Sequence, residues 1–333
     1  MNNNFWKWLG SQKGKQTLKR RWRMLNVEAL EDRTLPAVIS TLSNGLLDVT
    51  FDADRDAASI SIVGGNIRVT ADGVSQDFSS SLVQSLRARS LAGEQQSLEF
   101  LNGLNLSNSL EVTGLANVAF TGGTFTVGTL LVSATGTVDV RSSSLTSNGL
   151  LSLIARKELT QGQSGLLGTT ADAAVQVSVL DAFLRASGTL TVKAEAIVTA
   201  AVQHNPRLPI DVARLTSAAD ASVFLGGRSE LSSSRDVLVQ ALVTQNLTAS
   251  SQAKSSGGSL NADAAVALVD VIGNALAHLG DSASIQADGR FDLTATHTVT
   301  VTATADGAAA GSGGKGGSVA YVSSEGSAQA FIA

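Results

Sequence analysis

Carboxylates alternate at Asp52, Asp54 and Asp56, the spacing with which a calcium loop turns hard oxygens toward one side of a bend. The surrounding residues depart from such a loop. Ala57 stands where the turn glycine belongs, Val63 where a closing bidentate Glu belongs, and Arg55 adds a competing positive charge. A solvated acidic turn is the stronger reading, and the three Asp are kept only as weak calcium candidates. The glycine-rich run Gly311–Gly317 has the look of a phosphate cradle. However, Ala309 and Gly316 occupy the places where a P-loop needs Gly and Ser/Thr, so an inter-strand loop is expected. His204, His278 and His297 are the only imidazoles, and none has a His or carboxylate at metal-ligand spacing. Serines are plentiful, yet no Gly-x-Ser-x-Gly turn accompanies them. With no Cys, disulfide staples and thiolate metal sites are excluded. These residues lead us to assign no catalytic group and no cofactor.

Positioning elements are read from periodicity. Leu46–Phe51, Ser59–Val63 and Asn66–Ala71 alternate apolar and polar residues, with Gly64-Gly65 as a tight turn between the last two. After Phe100 come strand-like runs of three to five residues, with turn signals at Gly114, Gly122-Gly123, Gly128, Gly136 and Asn148-Gly149. Such spacing suits short stacked coils better than the longer strands of a β-sandwich. Residues 79–99 fit a helix about as well as a strand. In the last third a block of about 54 residues recurs: Ala221–Gly226 matches Ala275–Gly280, and Leu231, Val237 and Val239 match Ile285, Phe291 and Leu293. Leu190–Ala194 is an earlier partial copy of Val237–Ala241. Between them, His204–Pro209 holds two of the three prolines and is expected to bulge from the stack. Phe291–Thr304 alternates strictly, with a threonine row from Thr294 to Thr304 on one face. The equivalent positions one block earlier include Leu242 and Asn246, so the row reads as solvent-face strand residues rather than a ligand array.

The expected fold is therefore all-β, a parallel β-helix or solenoid with repeats of about 54 residues behind a disordered basic leader. Three regions are expected: a leader at 1–37, a short-coil region at 38–165 and a long-repeat region at 166–333. The last breaks off at Ala333, before the next expected strand. That ending leads us to expect a piece of a longer reading frame, with an open edge available for self-association. Composition agrees. Of 333 residues 43% are hydrophobic, with 32 Gly, 3 Pro and one Tyr, and the three Trp all fall within the first 22 positions. Small and β-branched residues suit thin, regular strand stacks. Residues 1–37 carry eight Lys/Arg against three Asp/Glu, leaving 16 against 25 in residues 38–333. A mildly acidic body offers no footprint for nucleic acid. The longest apolar runs fall short of eighteen residues, so no membrane-spanning helix is expected.

Leu25–Ala37 reads LNVEALEDRTLPA. Through Val27, Glu28, Ala29, Leu30, Glu31, Asp32, Arg33, Leu35 and Pro36 it resembles the VEALEDR-x-LP leader of large, exported cell-surface proteins of planctomycete-type bacteria. Those proteins continue into Ala/Gly/Val/Thr-rich β-repeats. The resemblance implies export to an extracellular or cell-surface location and implies no ligand. The function expected is a structural or adhesive module without catalysis, with surface polysaccharide or envelope proteins as partners. Two alternatives stand beside it: a carbohydrate-active β-helix enzyme of polysaccharide lyase type, and a calcium-dependent surface-binding module using acidic turns near Asp52 and Asp263.

Overall fold

The computed structural model describes residues 38–52, 55–91, 95–162, 168–204, 210–254, 262–308 and 315–333. The leader and its Val27–Pro36 motif lie outside the described residues, as do Asp54 and the runs 205–209 and 309–314. The described chain is a parallel β-solenoid, as the alternation of apolar residues leads one to expect.

It begins with antiparallel strands. β1 (Val38–Ser43) and β2 (Leu46–Phe51) pair as a hairpin, and β3 (Ala57–Val63), β4 (Asn66–Ala71) and β5 (Val74–Ser79) form a meander. Gly64 and Gly65 both have positive φ (59° and 81°), the conformation that a tight two-residue hairpin turn demands. The region that fitted helix or strand holds a single 3-10 turn, Ser80–Leu82, and then strands. Narrow coils follow: β6 (Ser85–Ser90), β7 (Ser97–Leu101) and β8 (Leu104–Asn105), then β9 (Ser109–Thr113) and β10 (Asn117–Val127), then β11 (Thr129–Ala134) and β12 (Thr137–Ser147). Wide coils come next: β13 (Leu151–Gln161), β14 (Thr169–Leu180) and β15 (Phe183–Ala186), then β16 (Leu190–His204), β17 (Ile210–Gly226) and β18 (Glu230–Ser233). The last two are β19 (Val237–Ala253), β20 (Ala262–Leu279) and β21 (Ser284–Ala287), followed by β22 (Phe291–Gly307) and β23 (Lys315–Ile332).

Two walls carry the stack. The first runs β2-β6-β9-β11-β13-β16-β19-β22, with β1 on its outer edge. The second runs β3-β7-β10-β12-β14-β17-β20-β23, with β4 and β5 beyond β3. A narrow third wall is made of β8, the second halves of β10 and β12, and then β15, β18 and β21. Coils pair in parallel and in register, so each inward side chain is covered by the same position of the next coil. Leu110 pairs with Leu130, twenty residues on, whereas Val237 pairs with Phe291, fifty-four on. The extra length enters at one place, where a first-wall strand hands over to a second-wall strand. The solenoid thus flares into a thin two-sheet arm, with wall strands growing from five or six residues in β9 and β11 to seventeen or eighteen in β19 and β20.

Core composition follows the width. Narrow coils enclose a rounder interior, filled by aromatic rings: Phe100 stacks on Phe120 at 4.8 Å between centroids, and Phe125 meets Phe120 edge-on at 5.3 Å. In the arm two sheets face each other directly, and buried Ala194, Ala196, Ala219 and Ala267 let them approach. Register bears out the repeats seen in sequence. Leu231 lies beside Ile285, Ala275 beside Ala328, and Leu190–Ala194 beside Val237–Ala241. β16 ends at His204 and β17 begins at Ile210, just as β13 ends at Gln161 and β14 begins at Thr169, so in both coils the break falls between a first-wall and a second-wall strand; the bulge expected at His204–Pro209 lies, apart from His204, outside the described residues.

One sequence-level turn is different in kind. Gly122-Gly123 was expected to separate two strands, yet β10 runs through it and only bends there from the second wall to the third. Gly123 has φ of 79°, and a Cβ on it would run into the backbone of Asn102 and Gly103 in the coil below. Gly64 has φ of 59° but open space around it. Gly123→Ala should therefore cost more than about 2 kcal/mol, and Gly64→Ala only about 1 kcal/mol from the left-handed backbone alone. Urea unfolding of the two variants, compared at equal slope, checks the difference.

Candidate functional site: an outer groove and the buried polar groups

Strand alternation dictates which side chains the second wall turns outward. Over the narrow coils three columns result: Ala57, Ser97, Asn117 and Thr137; Ser59, Glu99, Ala119 and Asp139; and Ser61, Leu101, Thr121 and Arg141. The middle column sets two carboxylates two rungs apart with only a methyl group between them. At about 4.8 Å per rung their backbones are about 9.6 Å apart. Ala119 leaves a depression there, and the end of β4 with Asp72 forms its flank. The groove has a volume of about 470 Å³. A second recess, also about 470 Å³, shares Asn117 and lies where the arm begins, lined by Gln95, Gly136, Lys157 and Glu158.

Both carboxylates are held by one oxygen. Thr121 Oγ1 donates to Glu99 Oε1 at 2.9 Å, and Arg141 Nε contacts Asp139 Oδ2 at 2.6 Å. Asp139 Oδ1 is buried without a partner. Thr137 Oγ1 donates to Asn117 Oδ1 at 2.8 Å. The groove therefore offers fixed acceptors, an amide and a nearby guanidinium, a set suited to sugar hydroxyls. Sequence reading missed Glu99 and Asp139, which are forty residues apart and meet only through stacking. The available signal was a twenty-residue period, SLEF at 97, NVAF at 117 and TVDV at 137.

Two of the three weak calcium candidates lie within the described residues. Asp52 is exposed, Asp56 is buried, and Asp54 lies outside the described residues. Among the described residues no three His, Asp or Glu are grouped to hold a metal ion. Lys315, Gly316 and Gly317 of the glycine-rich run open β23, and the rest of that run falls outside the described residues. The threonine row faces outward on β22, where Thr298 and Thr302 pair with Thr244 and Thr248 but Thr300 pairs with Asn246. His278 sits outward on the second wall between Phe224 and Phe331, with ring centroids 5.0 and 4.3 Å away. The strand position it shares with two Phe is thus filled by ring stacking, and its Nε2 is buried without a partner.

Inside the arm, polar groups punctuate the aliphatic stack. At the handover end Asp211 is 4% exposed, lies 3.2 Å from His204 Nδ1, and accepts from Ser251 Oγ at 2.7 Å and the Gln252 N–H at 2.8 Å. Asp263, 3% exposed, has neither carboxylate oxygen bonded. A charge buried without a partner destabilises the fold. Asp263→Ala should therefore raise the melting temperature, by on the order of 2–4 °C per kcal/mol recovered in a chain of this size. Differential scanning calorimetry reads it; an unchanged or lower melting temperature contradicts it.

Midway along the arm Gln245 Nε2 donates to Ser217 Oγ at 2.9 Å and to the Ile272 carbonyl at 3.1 Å, while its Oε1 accepts from His297 Nε2 at 2.9 Å. The histidine crosses from first wall to second, into space that Gly273 and Gly326 leave open: a Cβ on either would strike its ring. Burial holds the His297 pKa below its usual 6.5. A depressed histidine is neutral in both states above about pH 6.5, and below that the unfolded chain takes the proton first. Stability should thus fall as pH drops through that window. His297→Gln should remove part of the drop, and melting curves of the two chains at pH 7.5 and 5 should diverge by on the order of 2 °C.

Compared with protein-family models, curated proteins and solved structures, the chain matches none.

Proposed function

We propose that the chain is a structural and adhesive module of a large bacterial surface protein, a β-scaffold that holds polysaccharide in the groove over its narrow coils. The observation that carries this reading is the groove's make-up. Glu99, Asn117, Thr137 and Asp139 are projected from three successive rungs of a rigid ladder, so their spacing is set by backbone hydrogen bonds and not by a loop. Fixed polar groups at rung spacing suit a long, hydroxylated polymer lying along the stack. The basic leader and its Val27–Pro36 motif support export. In this reading the arm is scaffold; threonine, serine and glutamine lie on its first-wall face, while its second-wall face also exposes Ile210, Val212, Ile272, Val319 and Tyr321.

A second reading rests on the Glu99–Asp139 pair. Acid and base carboxylates that act across a glycosidic bond with inversion stand about 6.5–9.5 Å apart, and these two project from rungs whose backbones are about 9.6 Å apart, with Ala119 on the rung between them. One experiment separates the two. The protein is titrated with a panel of neutral and uronate polysaccharides, and the mixtures are assayed for new chain ends. The scaffold reading predicts binding without cleavage, weakened about tenfold or more by Glu99→Gln or Asp139→Asn, since each removes a charged acceptor worth about 1.5–3 kcal/mol. Cleavage by the wild type, abolished in either variant, would establish the enzyme instead. Binding to none of the polymers would overturn both.

A further inference from the structure

We propose that the recess where the arm begins is an anion subsite of the groove, taking the carboxylate or sulfate of an acidic sugar in a polysaccharide that also contains neutral sugars. The subsite deepens the groove reading proposed above and rests on it. It lies at the arm end of the groove, has a volume of about 470 Å³, and shares Asn117 with it. β13, the first strand of the arm, brings Lys157 and Glu158 to its edge, while the narrow coils bring Gln95, Asn117 and Thr135.

The recess is set apart by which of its polar groups the fold has already used. Gln95 Oε1 accepts from Arg55 Nε at 2.9 Å. Arginine has no acceptor, so this contact fixes the amide and turns its Nε2 away. Asn117 Oδ1 accepts from Thr137 Oγ1 at 2.8 Å, which leaves the Asn117 amide hydrogens. Backbone oxygens at the recess are engaged as well: Ala116 O accepts from the Thr137 N–H at 2.9 Å, and Gly136 O from the Gln176 N–H at 3.0 Å. Donors remain. The two amide nitrogens have no acceptor among the described residues, and the Lys157 ammonium has no ion-pair partner among them. Glu158, the carboxylate that lines the recess, is matched by Arg156, whose Nη2 lies 3.3 Å from its Oε2. Fixed amide donors beside a free ammonium suit an anion, and such charge-assisted bonds are the stronger kind.

The step between narrow coils and arm puts the lysine there. Lys157 stands at an inward position of β13, in a column that the next coils fill with Ala196 and Val243. The pairing of β11 with β13 stops at Ala155, so no narrow-coil strand lies over Lys157. A lysine at such a step keeps its stem against the layer and can deliver its ammonium into the recess it lines. The Glu99–Asp139 column lies two residues farther along the strands than Asn117, about 6.8 Å away. An acidic sugar in the recess is therefore followed by one over Glu99 and Asp139, where hydroxyls find acceptors and a second anion meets like charge. The polymer selected carries acidic and neutral sugars in turn.

The test is isothermal titration calorimetry of the full chain with three matched polymers. Unsulfated chondroitin alternates glucuronate with a neutral amino sugar. The second polymer is chondroitin with its carboxyls reduced to alcohols, and the third is chondroitin sulfate so reduced, which keeps only sulfate. An acidic polymer should bind about tenfold or more tighter than the neutral one, and added salt should weaken only the acidic complex. Whichever acidic polymer binds tighter identifies the anion. Lys157→Gln should bring the acidic polymer down to the affinity of the neutral one, and Lys157→Arg should keep the preference. Unchanged binding of the neutral polymer by Lys157→Gln shows that the fold is intact. Equal affinity of the wild type for acidic and neutral polymers, or a preference that survives Lys157→Gln, would overturn the subsite and leave the groove reading in place. Polygalacturonate, acidic at every sugar, should bind more weakly than chondroitin, and tighter binding would overturn the mixed composition. Binding of none of the polymers would overturn subsite and groove together.

Discussion

In a parallel ladder no coil is complete by itself, because the inward side chains of each are covered only by the same positions of its neighbours. That requirement governs the rest of the structure. It makes one position answer to the same position in every coil: Leu110, Leu130, Leu151, Leu190, Val237 and Phe291 form one column along the first wall. It also decides where change is tolerated. Coil length more than doubles between Leu110 and Phe291 while the column survives, because added residues enter at the far end of the walls as matched pairs of strands. A disturbance within a column is another matter. Gly123, Gly273 and Gly326 are places where a neighbouring coil or the opposite wall already fills the space a side chain would take.

The arm puts this rule under strain, since two facing sheets of small residues have no natural register relative to one another. The buried polar groups supply one. Gln245 can satisfy Ser217, the Ile272 carbonyl and His297 together only when β19, β17, β20 and β22 stand in one alignment. Asp211 does the same near the handover end with His204 and Ser251. Aliphatic columns tolerate slippage by two residues, while a hydrogen-bonded set of this kind does not. At the start of the stack Asp48 plays a comparable part: Arg87 on the adjoining strand grips both its oxygens at 3.1 and 2.7 Å, with Arg89 beside it, and holds its carboxyl below the usual range.

Much of this was legible in sequence because parallel stacking copies a pattern. The 54-residue period, the offset of Leu190–Ala194 from Val237–Ala241, and the inward or outward sense of His297 and the threonine row all follow from alternation, and the pairing agrees. What stayed hidden depends on bends and cross-wall distances. A glycine pair signals a reversal and a corner alike, and only the continued ladder of β10 tells them apart. Glu99 and Asp139 were unreadable as a pair, since between them in sequence lies a whole coil whose matching residue is an alanine. The bond between Gln245 and His297 was equally silent, because an apolar column with one polar member does not announce its partner. The carboxylates from Asp52 to Asp56 are close in sequence and read as a solvated turn, whereas the groove draws its carboxylates from separate coils.

The in-register stack is most directly tested along the outward column that contains Glu111, Leu131, Ser152, Thr191, Leu238 and Asp292. Because the chain has no Cys, Glu111→Cys and Asp292→Cys can be spin-labelled uniquely and their separation measured by double electron–electron resonance. Five rungs at about 4.8 Å put the two backbones about 24 Å apart, so a single narrow distribution near that distance is expected. A broad distribution, or one centred beyond about 40 Å, would mean that these strands do not stack in order, and the account would fail at its root.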